Sequence, residues 1–156
     1  MDSLEEQVVF KLKEKNWQIS FAESCTGGLL SGRLVNVSGV SDVFSEGYVT
    51  YANAAKHRIL GVSQASLNNF GAVSRQVAEE MARGAANVSG AQCAVSVTGI
   101  AGPDGGTEAK PVGLVYIGCY VAGKIVVTEN HFQGNRAQVR AQTVEAALKL
   151  LLDCLS

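Results

Sequence analysis

The sequence has little histidine, cysteine or proline, and these shortages limit the chemistry available to it. Its 156 residues include two histidines, two prolines and four cysteines. The spacing of the cysteines forms no C-x-x-C pair, and with two histidines no zinc-site spacing can be built. We therefore expect no metal centre. The cysteines, which we expect to be reduced thiols, are Cys25, Cys93, Cys119 and Cys154.

Long hydrophobic runs and an excess of either charge are also absent. No stretch approaches the roughly 18 apolar residues of a membrane span, and the acidic start of the chain is unlike a secretory signal. Thirteen basic against 14 acidic side chains leave no cationic excess for nucleic acid binding by counterion release. We expect a soluble cytoplasmic protein that binds neither membrane nor nucleic acid. One or two local cations could still hold a small anion.

The residues that are present suit one globular domain over residues 1–156. Hydrophobic residues make up 47% of the chain, enough for a real core at this length. Helical spacing of apolar residues alternates along the chain with strand-like patterns, and two strands late in the order are joined by the tight turn Ala122-Gly123. This order predicts an α/β sandwich with a mixed sheet.

Several segments carry a clear period. Large and small residues alternate over 17–22 as in a strand, and leucines over 27–37 predict a helix. Aromatic and β-branched residues over 44–51 predict another strand. Ser74 is a candidate cap for a long helix, whose predicted buried stripe is Val77, Met81, Ala85 and Val88.

The octet "FAESCTGG", residues 21–28, places polar groups between a strand and a helix. With Thr26 as a candidate N-cap, the backbone N–H groups near Ser24 lie at the positive end of a helix dipole, where an oxyanion could bind. Glu23 has two open interpretations, a role in the site or a favourable carboxylate at a helix start. Cys25 is disfavoured as a nucleophile, because a catalytic thiolate usually needs a histidine partner.

Three further features allow a functional or an ordinary interpretation. Lys56 could be a buried base of lowered pKa, or a surface lysine. The glycine-rich loop at 99–113 could bind an anion through its amides, or could be a structural Ω-loop. Arg136 and Arg140 lie four apart near a helix N-terminus, where they could hold a phosphate or be solvated.

Several blocks in this order resemble one family, the C-terminal domain of the competence and damage-inducible protein CinA. Besides the octet, the blocks are "YVTYANAAK" (48–56), "GAVS" (71–74), "TGIAGPDGGTEAKPVG" (98–113) and "FQGNR" (132–136). The resemblance covers nearly the whole chain. It implies a three-layer α/β/α sandwich and hydrolysis of the carboxamide of nicotinamide mononucleotide, in pyridine-nucleotide salvage, by a serine–lysine mechanism.

Carried over residue by residue, the resemblance implies that Ser24 is the nucleophile and Lys56 its base. Tyr51 and Thr98 would orient the dyad or the amide. Residues implied to line the pocket or hold the nucleotide are Glu23, Thr26, Gly27, Gly28, Ser41, Gly99, Ala101, Gly102, Arg136 and Arg140. The resemblance implies no cofactor, a small nucleotide as partner, and a homo-oligomer.

The sequence departs from the family pattern at Ala52, Ala54 and Asn135, where serine, glutamate and aspartate are expected. None of these positions belongs to the implied dyad. They leave two alternatives open, a nucleotide-binding module without catalysis and an amidohydrolase for a different small amide.

Overall fold

A five-stranded mixed sheet forms the centre of the computed structural model, which describes residues 1–156. The strands are β1 (Ile19–Glu23), β2 (Tyr48–Val49), β3 (Cys93–Gly99), β4 (Leu114–Val121) and β5 (Lys124–His131). Across the sheet their order is β2-β1-β3-β4-β5. The first three are mutually parallel, while β4 is antiparallel to both β3 and β5. The predicted mixed sheet is confirmed.

Helices cover both faces of this sheet. They are α1 (Leu4–Lys15), α2 (Leu29–Leu34), α3 (Asn53–Leu60), α4 (Gln64–Phe70), α5 (Arg75–Ser89) and α6 (Arg136–Leu155), with a short 3₁₀ helix at Val40–Asp42. One hydrophobic cluster joins α1, α2 and α6 to one face, and a second joins α3, α4 and α5 to the other. The three-layer α/β/α sandwich is therefore confirmed.

Alternation along the central strands supplies both clusters. Phe21 of β1 and Val95 of β3 are fully buried towards α6, while Ala22 and Ala94 are fully buried towards α5. Successive side chains of a strand point to opposite faces, so a strand covered on both sides is apolar throughout. This burial fixes the position of the residues that follow β1 and β3.

Local signals set several boundaries as predicted. The Ser74 hydroxyl accepts a hydrogen bond from Val77 N at 3.2 Å and caps α5. Ala122 and Gly123, with φ of 47° and 93°, form the tight turn between β4 and β5, as two-residue hairpins require. Asn135 and Gln138 form a reciprocal capping box at the start of α6, so the chain enters this helix in a fixed direction.

Other boundaries differ from prediction. The strand expected over 44–51 is reduced to β2, and just before it the Glu46 carbonyl accepts from the Ser20 hydroxyl of β1 at 2.9 Å. The helix expected over 27–37 is shortened to α2. Val88, predicted in the buried stripe, is 53% exposed, because the buried part of α5 ends at Ala86. None of the helices has the combined length and apolar character needed to cross a bilayer.

Candidate active site

The octet and the glycine-rich loop meet at one edge of the sheet. The turn at 24–28 follows β1, and the loop at 99–113 follows β3. These strands are parallel neighbours, so their carboxyl ends lie side by side, where α/β folds collect ligands. Between them is a cavity of about 260 Å³. Gly99 lets the end of β3 lie close to β4, since a Cβ there would lie 2.5 Å from a Val115 methyl carbon.

Ser24 and Lys56 meet in this cavity, as the resemblance implies. The Lys56 Nζ and the Ser24 Oγ are 2.9 Å apart. Lys56 reaches the turn from α3 and is 1% exposed, so the surface interpretation of this lysine is wrong. Its Nζ also donates to the Thr50 carbonyl at 2.9 Å and the Tyr51 carbonyl at 3.2 Å. The amine is therefore fixed in position by the backbone that precedes α3.

Burial lowers the pKa of Lys56 from 10.5 to about 8, because removal from water disfavours the charged ammonium. A negative charge at Cys25 would oppose this shift. In the neutral amine, two N–H groups can bond the Thr50 and Tyr51 carbonyls, which leaves the lone pair for the Ser24 hydroxyl. The geometry suits proton transfer from serine to lysine.

Glu23 holds the turn together and has no place in the cavity lining. Its fully buried carboxylate accepts hydrogen bonds from the hydroxyls of Thr26 and Ser31 and from the N–H groups of Gly28, Leu30 and Ser31. A carboxylate here satisfies the first amides of α2 and complements the helix dipole. The predicted Thr26 cap is wrong, because the Thr26 hydroxyl donates to this carboxylate.

Some backbone N–H groups of the turn at 24–28 already donate hydrogen bonds within the protein, and others do not. Gly27 N bonds Ser24 O at 3.1 Å, and Gly28 N bonds the Glu23 carboxylate, so these two amides are unavailable to an oxyanion. The N–H groups of Cys25 and Thr26 make no bond within the protein. An oxyanion formed at Ser24 would therefore depend on the amides of Cys25 and Thr26.

Arg140 supports this turn from behind. Its Nε donates to the Cys25 carbonyl at 3.0 Å, and its Nη2 donates to the Thr26 carbonyl at 3.0 Å. Arg140 is not among the residues that line the cavity, so the structure does not place it where the resemblance implied a nucleotide contact. Its charge polarises the peptide unit that carries the Thr26 N–H, which makes that group a stronger donor.

Cys25 lines the cavity as a neutral thiol. Burial raises its pKa to about 11, since the thiolate would lose its hydration. Such a thiol is a poor nucleophile at neutral pH. This agrees with the sequence argument against Cys25.

Tyr51, Arg136 and Thr98 line the cavity, although not in the arrangement expected. The Tyr51 ring is 60% exposed and its hydroxyl accepts from Arg136 Nη2 at 2.9 Å, so only the Tyr51 carbonyl touches the dyad. Arg136 Nη1 donates to the Gly102 carbonyl at 2.9 Å. The Thr98 hydroxyl donates to the Ala72 carbonyl at 2.9 Å, which positions the opposite wall.

The glycine-rich loop forms one wall of the cavity through Gly99, Ala101 and Gly102. The N–H groups of Ala101 and Gly102 make no bond within the protein, so they remain available to a ligand. The far end of the loop is anchored by Lys110, whose Nζ donates to the Phe70 carbonyl at the end of α4. These contacts suit the functional interpretation of the loop.

Ser41 lies away from this site. It is exposed and belongs to the 3₁₀ helix at Val40–Asp42. The residue after this helix, Val43, accepts a hydrogen bond from Ile19 N, at the start of β1. Ser24 follows the last residue of β1, so the two serines lie at opposite ends of the strand. Within this chain, Ser41 cannot join the cavity.

Sequence reasoning missed several cavity residues. Asn53 lines the cavity from the start of α3, and Asp104 lines it from the glycine-rich loop. The sequence signal for Asp104 is its place within the glycine-rich loop at 99–113, and that for Asn53 is its place three residues before Lys56. No group of three or more His, Cys, Asp or Glu side chains is arranged to hold a metal ion.

Together these features define an α/β/α sandwich that carries a buried serine–lysine pair between a strand-to-helix turn and a glycine-rich loop. A family model of the CinA C-terminal domain matches residues 1–155. The chain belongs to this family.

Relatives agree in sequence and in structure. A competence-damage inducible protein of Clostridium novyi is 52% identical over 149 residues, which are 96% of this chain and 36% of that protein. One of Clostridium tetani is 53% identical over 150 residues, 96% of this chain and 37% of that protein. The chain thus spans about a third of the length of these curated relatives.

Solved structures match the whole fold. The competence/damage inducible protein CihA of Agrobacterium tumefaciens has a TM-score of 0.94 at 41% identity, with 100% of both chains covered. A CinA superfamily protein of Enterobacter cloacae has a TM-score of 0.95 at 33% identity, covering 98% of this chain and 90% of that one. The sandwich and the strand order described above are therefore shared with known CinA proteins.

Proposed function

We propose that this chain hydrolyses the carboxamide of nicotinamide mononucleotide to nicotinate mononucleotide and ammonia, with Ser24 as nucleophile and Lys56 as base. The observation that carries the proposal is the 2.9 Å contact between the Ser24 hydroxyl and a buried Lys56 amine whose pKa is lowered to about 8. A hydroxyl paired with a neutral amine needs neither a histidine nor a metal to become nucleophilic.

In the first half of the reaction, neutral Lys56 takes the proton of the Ser24 hydroxyl as Oγ bonds to the amide carbon. The oxyanion is stabilised by the free amides of Cys25 and Thr26, an effect worth about 3 kcal/mol per donor in related sites. The tetrahedral intermediate then collapses. The carbon–nitrogen bond breaks, and the Lys56 ammonium returns its proton to the leaving nitrogen, which departs as ammonia.

In the second half, Lys56 takes a proton from a water molecule, and the resulting hydroxide attacks the ester carbon. The bond to Ser24 Oγ breaks, and Lys56 returns the proton to the serine. The nicotinate carboxyl group ionises on release. The enzyme is thereby restored with one water consumed and one ammonia produced.

The cavity also suits a nucleotide. Arg136 presents a guanidinium at its rim, and the free N–H groups of Ala101 and Gly102 can bind phosphate oxygens. Ala72 and Val73 supply an apolar wall for an aromatic ring. These features support a nucleotide over a small amide that lacks the ribose phosphate.

The test is ammonia release from nicotinamide mononucleotide and, separately, from nicotinamide, by the wild type and by Ser24→Ala and Lys56→Met. We expect the nucleotide to be preferred and each variant to lose at least about a thousandfold in kcat/KM. Saturable binding without ammonia would instead support the non-catalytic module. Preference for nicotinamide would support a different amide substrate.

Matched controls are available in the chain. Ser41→Ala removes an exposed serine at the opposite end of β1, and Lys149→Met removes an exposed lysine of α6. Both variants should retain wild-type activity. A large loss in Ser41→Ala would mean that Ser41 reaches the cavity of another subunit.

The proposal extends to cellular context. Free thiols and the absence of any charge excess fit a cytoplasmic enzyme of pyridine-nucleotide salvage, and the family resemblance implies a homo-oligomer. Light scattering of the purified protein would test the oligomer, since a mass of 16.3 kDa is expected for a monomer.

A further inference from the structure

The cavity beside Ser24 carries one unpaired charge of each sign. Its lining contains one acidic residue, Asp104, and two basic ones, Lys56 and Arg136. Lys56 is neutral in the form that accepts the serine proton. Arg136 and Asp104 therefore supply the fixed charges of the reactive site.

These two charges do not neutralise each other. Arg136 is tied to the Gly102 carbonyl and the Tyr51 hydroxyl. Asp104 belongs to none of the ion pairs of the protein, and the side-chain bonds of its loop come from Thr107 and Lys110 instead. A ligand that carries both a positive and a negative group would complement this pattern.

Besides Asp104, the lining offers a positively charged ring only neutral groups, Tyr51 and Asn53 among them. Ala72, Val73, Ile100 and Ala101 are apolar, and they suit the faces of an aromatic ring without recognising its charge. Asp104, an exposed residue at the mouth of the cavity, is the one acidic residue of the lining. Its carboxylate would lose part of its hydration when a ring enters, a cost that only a cationic ring offsets.

Resting on the proposed function, we propose that Asp104 is a specificity-determining residue that pairs with the positive pyridinium ring, while Arg136 pairs with the phosphate. The cavity thus selects zwitterionic aromatic amides. A nucleotide with a neutral ring keeps the phosphate contact and gains nothing from Asp104.

The experiment compares binding of two ligands that differ in ring charge. Nicotinamide mononucleotide carries the pyridinium, and its reduced dihydro form has a neutral ring on the same ribose phosphate. Dissociation constants are measured in a Ser24→Ala background, which prevents turnover. Asp104→Asn should weaken binding of the charged nucleotide about five- to tenfold and change binding of the reduced form less than about twofold. Added salt should shrink this difference.

Glu108→Gln is the matched control, because it removes one negative charge from the same loop outside the cavity lining. It should leave both dissociation constants unchanged, and Asp104→Glu should restore much of the preference. Equal weakening of both ligands in Asp104→Asn, or no weakening of either, would overturn the inference. Turnover of nicotinamide mononucleotide by the wild type, which retains Ser24, is measured in parallel. Failure of the proposed function is then seen separately from failure of the Asp104 role.

Discussion

The pH dependence of the reaction should report the ionisation of Lys56. Only the neutral amine can accept the Ser24 proton, and burial lowers the Lys56 pKa from 10.5 to about 8. The direction follows from desolvation, which penalises the charged form of a base. Activity should therefore rise with pH and level off above pH 8.

The magnitude follows from the fraction of neutral amine. With a pKa of about 8 that fraction is about 3% at pH 6.5 and about 97% at pH 9.5, so kcat/KM should rise about thirtyfold over this range. An unshifted lysine would be neutral about once in a thousand molecules at pH 7.5, whereas Lys56 is neutral in about a quarter. Burial thus gives roughly two hundredfold more active base.

A negative charge introduced beside the Lys56 amine tests this assignment. Cys25 lies close enough to Lys56 to affect its pKa, so Cys25→Asp should move the rising limb of the profile upward by about one pH unit or more. Cys25→Ser adds no charge and should leave the midpoint in place. Initial rates of ammonia release at low substrate give the profiles, and rates below pH 7 are corrected for the substrate phosphate, whose second pKa is about 6. A flat wild-type profile, or a midpoint that ignores Cys25→Asp, would refute the role of Lys56.

Three further predictions concern stability and kinetics. Lys56→Met should raise the free energy of unfolding at pH 7 by about 1–2 kcal/mol, because it removes a buried amine that is mostly charged at that pH. Wild-type stability should increase between pH 8 and 10.5, where the folded protein has lost the Lys56 proton and the unfolded chain still binds it, and the variant should lack this increase. Urea unfolding measures both effects. Glu23→Gln should lower that free energy by about 2–4 kcal/mol in the same assay, because a buried acceptor of five hydrogen bonds is replaced by an amide that also donates; an unchanged midpoint would contradict the capping role. Arg140→Met should lower kcat about tenfold and leave KM within about twofold, because Arg140 supports the oxyanion turn. Arg136→Met should mainly raise KM, because Arg136 lines the cavity. The reverse pattern in steady-state kinetics would contradict these two roles.

Much of the fold could be predicted because its signals are local. Ser74 caps α5, Ala122-Gly123 turns the hairpin, and the alternation over 17–22 marks β1. The reduction of the 44–51 strand to β2 could not be predicted, since its pairing with β1 joins residues that are distant in sequence. Strand length at a sheet edge is decided by the neighbours that are present.

The candidate site could be predicted only in part, because several of its contacts join residues that are distant in sequence. The burial of Lys56 follows from packing α3 against the turn after β1, 32 residues away in sequence, and no local pattern reports that contact. The two interpretations of Glu23 were settled by the helix amides it meets. Arg136 and Arg140 look equivalent in sequence, but Arg136 lines the cavity, whereas Arg140 donates to the carbonyl of Cys25 in the turn.

The most direct test of the central claim is to identify the residue that carries the acyl group during turnover. Wild-type protein mixed with nicotinamide mononucleotide, quenched in acid and digested, would be mapped by peptide mass. We predict a nicotinoyl nucleotide ester on the peptide that contains Ser24, located on Ser24 itself and absent in Ser24→Ala. An adduct on Cys25, or undiminished ammonia release by Ser24→Ala, would contradict the account.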